Sequence, residues 1–418
     1  MLTFWRTIYN LFLPSFLLFV RLFGQFNPKI QASLSGRKHL FETLTEKVQQ
    51  LPPHRKRIWF HVASVGEFEQ ARPLISELRK QGDWSIIVSF LSVSGYEARK
   101  HFPDADLITY LPEDTPINAR RFCALVQPHV AVVVRYDFWF NHLCEVKRSG
   151  ARLILISMSV QAQSNYFKPV LKSFYKALFS LFDKIFTVSE QDAKALQAGF
   201  ALSTVEVAGD TRYDQVFARS KGREKLAPLE KFYRGKRVLI GGSTWQRDES
   251  LLVEAMMHLS DVSLILVPHE INHVHLAWLE SLLQSKGLNY ARISKLPENF
   301  SSKMVLIVDE IGYLAELYAL ASVGYVGGGF GVNVHNTLEV AVHGVPVVFG
   351  GNIHKSREAK ELADSGAAFI VTELTLLPTL KNLLENEHLR AEAGKKAAQF
   401  VQARLGATEK ILKYLYET

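Results

Sequence analysis

From residue 57 onward the chain alternates short, largely apolar runs with longer amphipathic ones. Ile58-Trp59-Phe60-His61-Val62-Ala63, Ser85-Ile86-Ile87-Val88-Ser89-Phe90, Val130–Val134, Leu153–Ile156, Ile185–Val188 and Val205–Ala208 read as strands. Helical stretches separate several of them, the first running from Gly66 to Arg79. The charged stretch 218–235, with Gly222, Pro228 and Gly235, reads as a linker. The pattern then restarts at Arg237–Gly241, Ser263–Val267, Met304–Val308, Val323–Val326, Val345–Phe349 and Ala368–Val371. Continuous apolar strands alternating with helices imply parallel sheets covered on both faces. The predicted fold is α/β, with two doubly wound, Rossmann-like domains facing a cleft. Ligands of such sheets bind beyond the carboxyl ends of the strands. The expected division is a membrane-interface segment at 1–35, a first α/β domain at 36–217, the linker at 218–235, a second α/β domain at 236–400 and a C-terminal helix at 401–418.

The start of the chain follows another pattern. Phe4-Trp5, Ile8-Tyr9, Leu11–Leu13, Phe16–Val20 and Leu22-Phe23 crowd aromatic and aliphatic bulk around Arg6 and Arg21. The uncharged window between those arginines contains Pro14 and is shorter than the roughly 20 apolar residues a spanning helix needs. The expectation is a helix lying in an anionic membrane interface. A second stretch, Tyr166–Phe179, spaces Lys168, Lys172 and Lys176 four apart on one helix face and could extend that surface.

Charge sharpens the picture. The 418 residues carry 49 Lys and Arg against 41 Asp and Glu, a net charge of +8. Residues 1–57 alone hold nine basic residues against Glu42 and Glu46, so nearly all the excess lies at the N-terminus. The remainder is close to neutral, which argues against a nucleic-acid surface. Apolar content of 48% and charged content of 22% exclude collagen-like and disordered classes. Cys123 and Cys144 are too few for a disulfide framework.

Three motifs carry candidate chemistry. His269-Glu270-Ile271-Asn272-His273 matches a zinc-protease pattern, but Pro268 ends a strand directly before it, so the segment reads as a loop rather than an established helix. The glycine-rich turn Gly327-Gly328-Gly329 ends a strand, and similar turns end neighbouring strands at Gly241-Gly242-Ser243-Thr244 and Gly350-Gly351-Asn352. Backbone N–H groups in such turns can cradle an anion. Ser64-Val65-Gly66-Glu67 ends the first strand, where Glu67 could act as a general base or, more plainly, close a capping box with Ser64.

Ser64–Glu67, Trp139 with Asn141, Gly209–Asp214, Gly242–Thr244, Val267–His269, Gly327-Gly328 followed by His335-Asn336 and Leu338-Glu339, and Gly344–Val347 occur in one order. The set resembles the Kdo transferase family, which is similar to the GT-B glycosyltransferases. The resemblance implies transfer of 3-deoxy-manno-octulosonic acid (Kdo) from CMP-Kdo to a lipid A precursor such as lipid IVA, in lipopolysaccharide biosynthesis at the cytoplasmic face of the inner membrane. It implies Glu67 as catalytic base and Arg212, where the family commonly has lysine, as a stabiliser of the leaving group. Implied CMP-binding positions are Ser243, Thr244, Pro268, His269, Ile311, Gly312, Tyr313, Gly328, Asn336, Thr337, Leu338 and Glu339. Ser64, Gly66 and Asp137 stand on the acceptor side. No metal or other cofactor is expected, CMP-Kdo being a substrate. Arg135 occupies a position where the family often has glutamate, and Ile311-Gly312-Tyr313 lacks an acid often seen third. The competing readings are another GT-B nucleotide-sugar transferase or epimerase, and a non-catalytic module binding anionic lipid.

Overall fold

A computed structural model describes residues 1–160, 164–222, 224 and 226–417. Strands β1 (Lys56–Val62), β2 (Trp84–Phe90), β3 (Leu107–Tyr110), β4 (Val130–Val134), β5 (Arg152–Met158), β6 (Lys184–Thr187) and β7 (Val205–Val207) form one parallel sheet in the order β3-β2-β1-β4-β5-β6-β7. Strands β8 (Arg237–Thr244), β9 (Val262–Pro268), β10 (Tyr290–Arg292), β11 (Val305–Ile307), β12 (Val323–Val326), β13 (Val347–Gly350) and β14 (Ala368–Val371) form a second, ordered β10-β11-β9-β8-β12-β13-β14. Every pairing in both is parallel. The fold class is the expected one: two helix-covered α/β sheets. Strand order reverses between β1 and β4 in the first sheet and between β8 and β12 in the second, which marks the switch points where such sheets open a binding crevice.

The sequence pattern missed β3 and β10. Both are short edge strands, and β10 is only three residues long, so neither offers a long apolar run.

The chain divides into two compact units, Met1–Gln215 with the residues from Gly406 on, and Val216–Leu405. The C-terminal helix Ala407–Tyr416 therefore belongs with the first sheet, and its Ile411 and Leu415 are buried against Ile58 and Phe186. Asp214 anchors its start, accepting the N–H groups of Gly406 (2.8 Å) and Thr408 (2.7 Å). Within the expected linker, Ala227–Tyr233 is helical, and Leu226, Leu229 and Tyr233 are buried in the second unit.

The N-terminal helix, Leu2–Gly24, is docked on the first unit by one face only. Arg6 donates to the buried Glu145 (2.9 Å) and to Asn141, Tyr9 donates to Asp114 (2.8 Å), and Asn10 exchanges hydrogen bonds with Asn141. Arg21 pairs with Glu113 at 2.8 Å. Arg37 spends its guanidinium on the carbonyls of Leu111, Leu91 and Ser33. Arg6 and Arg37 are thus engaged by the protein, Arg21 is paired but still exposed, and further exposed positive charge comes from lysines such as Lys29, Lys38, Lys168, Lys172 and Lys176. The opposite face bares Phe12, Phe16, Phe19 and Phe23, each more than half exposed. Beside it, Trp5 meets Phe174 at 5.5 Å on the helix Pro169–Phe179, whose Val170 is also exposed. The helix has the length and composition to cross a bilayer, with only 11% of its most apolar window buried.

Candidate active site

In the first unit the switch point collects three ionisable groups. β1 runs into Ala63-Ser64, and Ser64 caps the helix Val65–Gln81 by accepting the N–H of Glu67 at 3.4 Å. The Glu67 carboxylate turns back past the cap to accept the N–H of Ala63 at 2.5 Å. The capping reading of Ser64 and Glu67 is therefore half realised, with the carboxylate held at the strand end and half-buried. A Cβ added at Gly66 would meet only Ser64 Oγ at 3.9 Å, so the chain's own packing does not call for glycine there.

Across the switch point, Asp137 follows β4 and accepts a hydrogen bond from His61 Nε2 at 2.7 Å. The direction of that bond follows from its neighbours. Trp59 Nε1 can only donate, and it donates to Ser89 Oγ at 2.8 Å. The Asp137 carboxylate can only accept, so His61 Nε2 carries the ring proton toward it, and Nδ1 is left to accept from Ser89 Oγ, 2.8 Å away. Trp59, His61 and Ser89 are all buried. The sequence reading missed this chain. Its one visible signal was a histidine within an otherwise apolar strand.

Glu67 is pushed above the ordinary carboxylate range. Burial is the main cause and Asp137 adds to it, while the Ala63 N–H, His61 and Arg135 pull the other way. A raised carboxyl is a stronger base once ionised, which suits abstraction of a sugar hydroxyl proton. Arg212 opens the helix Thr211–Ser220 and is clamped by Asp210, which accepts its backbone N–H (3.0 Å) and its Nε–H (2.8 Å). Thr211 donates to the carbonyl of Gln70 at 2.6 Å, tying this segment to the helix that carries Glu67. Asn141, part of the Trp139/Asn141 signature, is buried and serves to dock the N-terminal helix.

In the second unit the predicted donor positions lie at or beyond the carboxyl ends of β8, β9, β11 and β12. Their side chains play unequal parts. Ser243 adopts φ +52°. Thr244 is buried and donates to Glu249 at 2.8 Å, and Leu338 is wholly buried, so both side chains serve the core. Ile311 and Gly312 (φ +93°) form an exposed turn, and Tyr313 precedes the short helix Leu314–Leu317. Asn336 is exposed and caps Leu338 N–H, Thr337 Oγ1 is buried without a partner, and Glu339 accepts from Arg219 at 3.3 Å.

The glycine turn departs from expectation. Gly327 N–H donates to Gly242 O (2.9 Å), Gly328 N–H to Asp248 (2.9 Å) and Gly331 N–H to Gly328 O (3.1 Å). Those groups are spent inside the protein and do not form an anion cradle. The glycines are there for close packing, because a Cβ at Gly327 would stand 2.2 Å from Ser243 O and one at Gly329 2.5 Å from Gly350 N.

What faces outward instead is a stack of rings. His269 lies 4.7 Å from Trp245 and 4.3 Å from His335, at interplanar angles of 28° and 21°. Trp245 Nε1 donates to His335 Nε2 at 2.9 Å. Burial, with His269 beside it, pushes His335 down to about 4, and burial also lowers His269. The stack is therefore uncharged near neutral pH. Trp245 and His335 were not among the predicted site residues. His269 sits in a loop and His273 opens the helix His273–Ser285, so the zinc-protease spacing does not lie on one helix.

The comparisons decide among the readings. A family model described as 3-deoxy-D-manno-octulosonic-acid transferase (kdotransferase) matches residues 38–215. A 3-deoxy-D-manno-octulosonic acid transferase from Chlamydophila psittaci is 29% identical over 364 residues, covering 85% of this chain and 83% of its own. Another from Aquifex aeolicus is 27% identical over 350 residues, covering 80% and 90%. By sequence the chain is similar to the Kdo transferases over most of its length. It is a glycosyltransferase, and the non-catalytic lipid-binding reading falls away. Among solved structures, a UDP-GlcNAc 2-epimerase from Neisseria meningitidis has a TM-score of 0.61 over 87% of this chain and all of its own, at 14% identity. That likeness concerns the GT-B-type fold alone; the family match is what separates this transferase from epimerases.

Proposed function

We propose that the enzyme transfers Kdo from CMP-Kdo to a hydroxyl of a lipid A precursor, lipid IVA being the expected acceptor, at the cytoplasmic face of the inner membrane. The observation that carries the mechanism is Glu67, a carboxylate raised by burial at the switch point of the first sheet. Glu67 takes the proton from the acceptor hydroxyl. The oxygen forms a bond to the anomeric carbon of Kdo as the bond from that carbon to the CMP phosphate oxygen breaks. CMP departs with the electron pair, and Arg212 offsets its developing charge. Asp137, held by His61, orients the acceptor sugar. The second unit binds CMP, with the uncharged Trp245–His269–His335 stack as a platform for the base and Asn336 and Glu339 as partners for the ribose. The reaction as written consumes only CMP-Kdo and acceptor.

The exposed phenylalanine face of the N-terminal helix supports a membrane-bound acceptor. The test is transfer of labelled Kdo to lipid IVA embedded in anionic vesicles. The label should enter the lipid phase with wild-type protein. Replacing Phe12, Phe16 and Phe19 with serine should cut vesicle transfer at least tenfold while a water-soluble acceptor analogue keeps most of its rate. Label that never reaches lipid would overturn the acceptor assignment. Equal losses on both acceptors would overturn the membrane role of this face.

A further inference from the structure

Arg135 leaves the end of β4 in a conformation that non-glycine residues seldom adopt, at φ +62°. Directly across, where Val134 pairs with Ile156, Ser157 does the same at φ +55°. Register with β6 slips between Leu155 and Met158 at this point. Backbone strain retained on two adjacent strand ends marks a place where function has fixed the geometry. Both residues also keep a buried polar atom without a hydrogen-bond partner, Arg135 Nε and Ser157 Oγ, and Ser157 is 1% exposed. Among the described residues Arg135 makes no ion pair, although its charge is felt by Glu67, which also feels Asp137 and His61. Its guanidinium carbon lies 5.5 Å from the centroid of the Tyr136 ring, which is itself exposed.

We infer that Arg135 is an acceptor-selecting residue. Its fork receives an anionic oxygen group of the acceptor, a phosphate monoester or the carboxylate of a sugar acid, and so sets the attacked hydroxyl beside Glu67. The planar guanidinium matches both groups with two parallel hydrogen bonds, which a glutamate at this position would repel. This inference rests on the reading of a glycolipid acceptor given above, and extends it to the charge the acceptor must carry.

Calorimetric binding to the full chain tests it without requiring turnover. Three soluble probes are compared: a glucosamine disaccharide bearing phosphate monoesters, the same disaccharide without them, and the phosphate-free disaccharide bearing one Kdo. Wild-type protein should bind one of the two anionic probes at least tenfold more tightly than the neutral one, and which one names the source of the anion. Arg135→Gln should abolish that preference, and Arg135→Lys should keep part of it. Equal affinities for all three probes, or a preference that survives Arg135→Gln, would show that Arg135 only balances the two carboxylates. If Arg135→Gln fails to fold by circular dichroism, an undiminished preference in Arg135→Lys overturns the inference equally. Kdo transfer by wild-type protein is measured separately, so failure of the function and failure of this inference are told apart.

Discussion

Replacing Glu67 with glutamine should lower Kdo transfer by about 10²–10⁴-fold while leaving CMP affinity within a factor of two. The loss follows from removing the only proton acceptor the mechanism uses, at the scale typical of general-base deletion. Glutamine keeps an oxygen that can accept the Ala63 N–H, so the cap and the fold should persist. The residues assigned to CMP belong to the other compact unit, so donor binding is a fair internal control. The pH profile adds a second reading. Because the carboxyl of Glu67 is raised, the wild-type rate should fall as pH drops through a limb lying above the ordinary carboxylate range. Glu67→Gln should lack that limb. Isothermal titration with CMP alongside initial rates checks both statements. Near-wild-type turnover would reduce Glu67 to a helix cap.

Gly327→Ala should damage the second unit more than any single side-chain deletion at its surface. The added methyl would lie 2.2 Å from Ser243 O and 2.6 Å from Thr244 Cα, and backbone cannot move aside as a flexible side chain would. Overpacking of this kind costs about 1–3 kcal/mol or more. For a unit of this size that is roughly 2–4 °C of Tm per kcal/mol. It also pushes β8 and β12 apart where Ser243 and Gly328 stand, so CMP affinity should fall at least tenfold. Gly331→Ala is the matched control, since nothing lies within 4 Å of its added methyl. Thermal unfolding and CMP titration of the pair check this. Equal Tm values would mean that the close approach of the two turns is not rigid.

Much of this architecture was legible from the sequence because buried parallel strands are continuous apolar runs. Among the described residues twelve of the fourteen strands were legible as largely apolar runs, and β3 and β10 escape because β3 has four residues and β10 only three, ending in Arg292. Glu67 stood out as a carboxylate in a Ser-x-x-Glu frame just beyond β1, but spacing alone favoured a helix cap, and its role as base came from the family resemblance. The glycine turn was visible, but three of its N–H groups are spent inside the protein. Periodicity locates glycines but does not tell whether their N–H groups face a ligand or, as at Gly328, a buried aspartate. His61, Ser89 and Trp59 come together across two strands, and Trp245, His269 and His335 across three strand ends. No linear spacing encodes such contacts. The partners of the N-terminal charges were hidden for a related reason: Arg6, Arg21 and Arg37 look free in sequence but meet groups 54 to 139 residues away.

The central claim is a direct displacement at the anomeric carbon of Kdo with one carboxylate as base. The anomeric configuration of the newly transferred Kdo, read by NMR on the product of CMP-Kdo and lipid IVA, tests it most directly. A single displacement places the acceptor oxygen opposite the departing CMP, so the account predicts a configuration inverted relative to the donor. A product with retained configuration would require a second displacement and would contradict it.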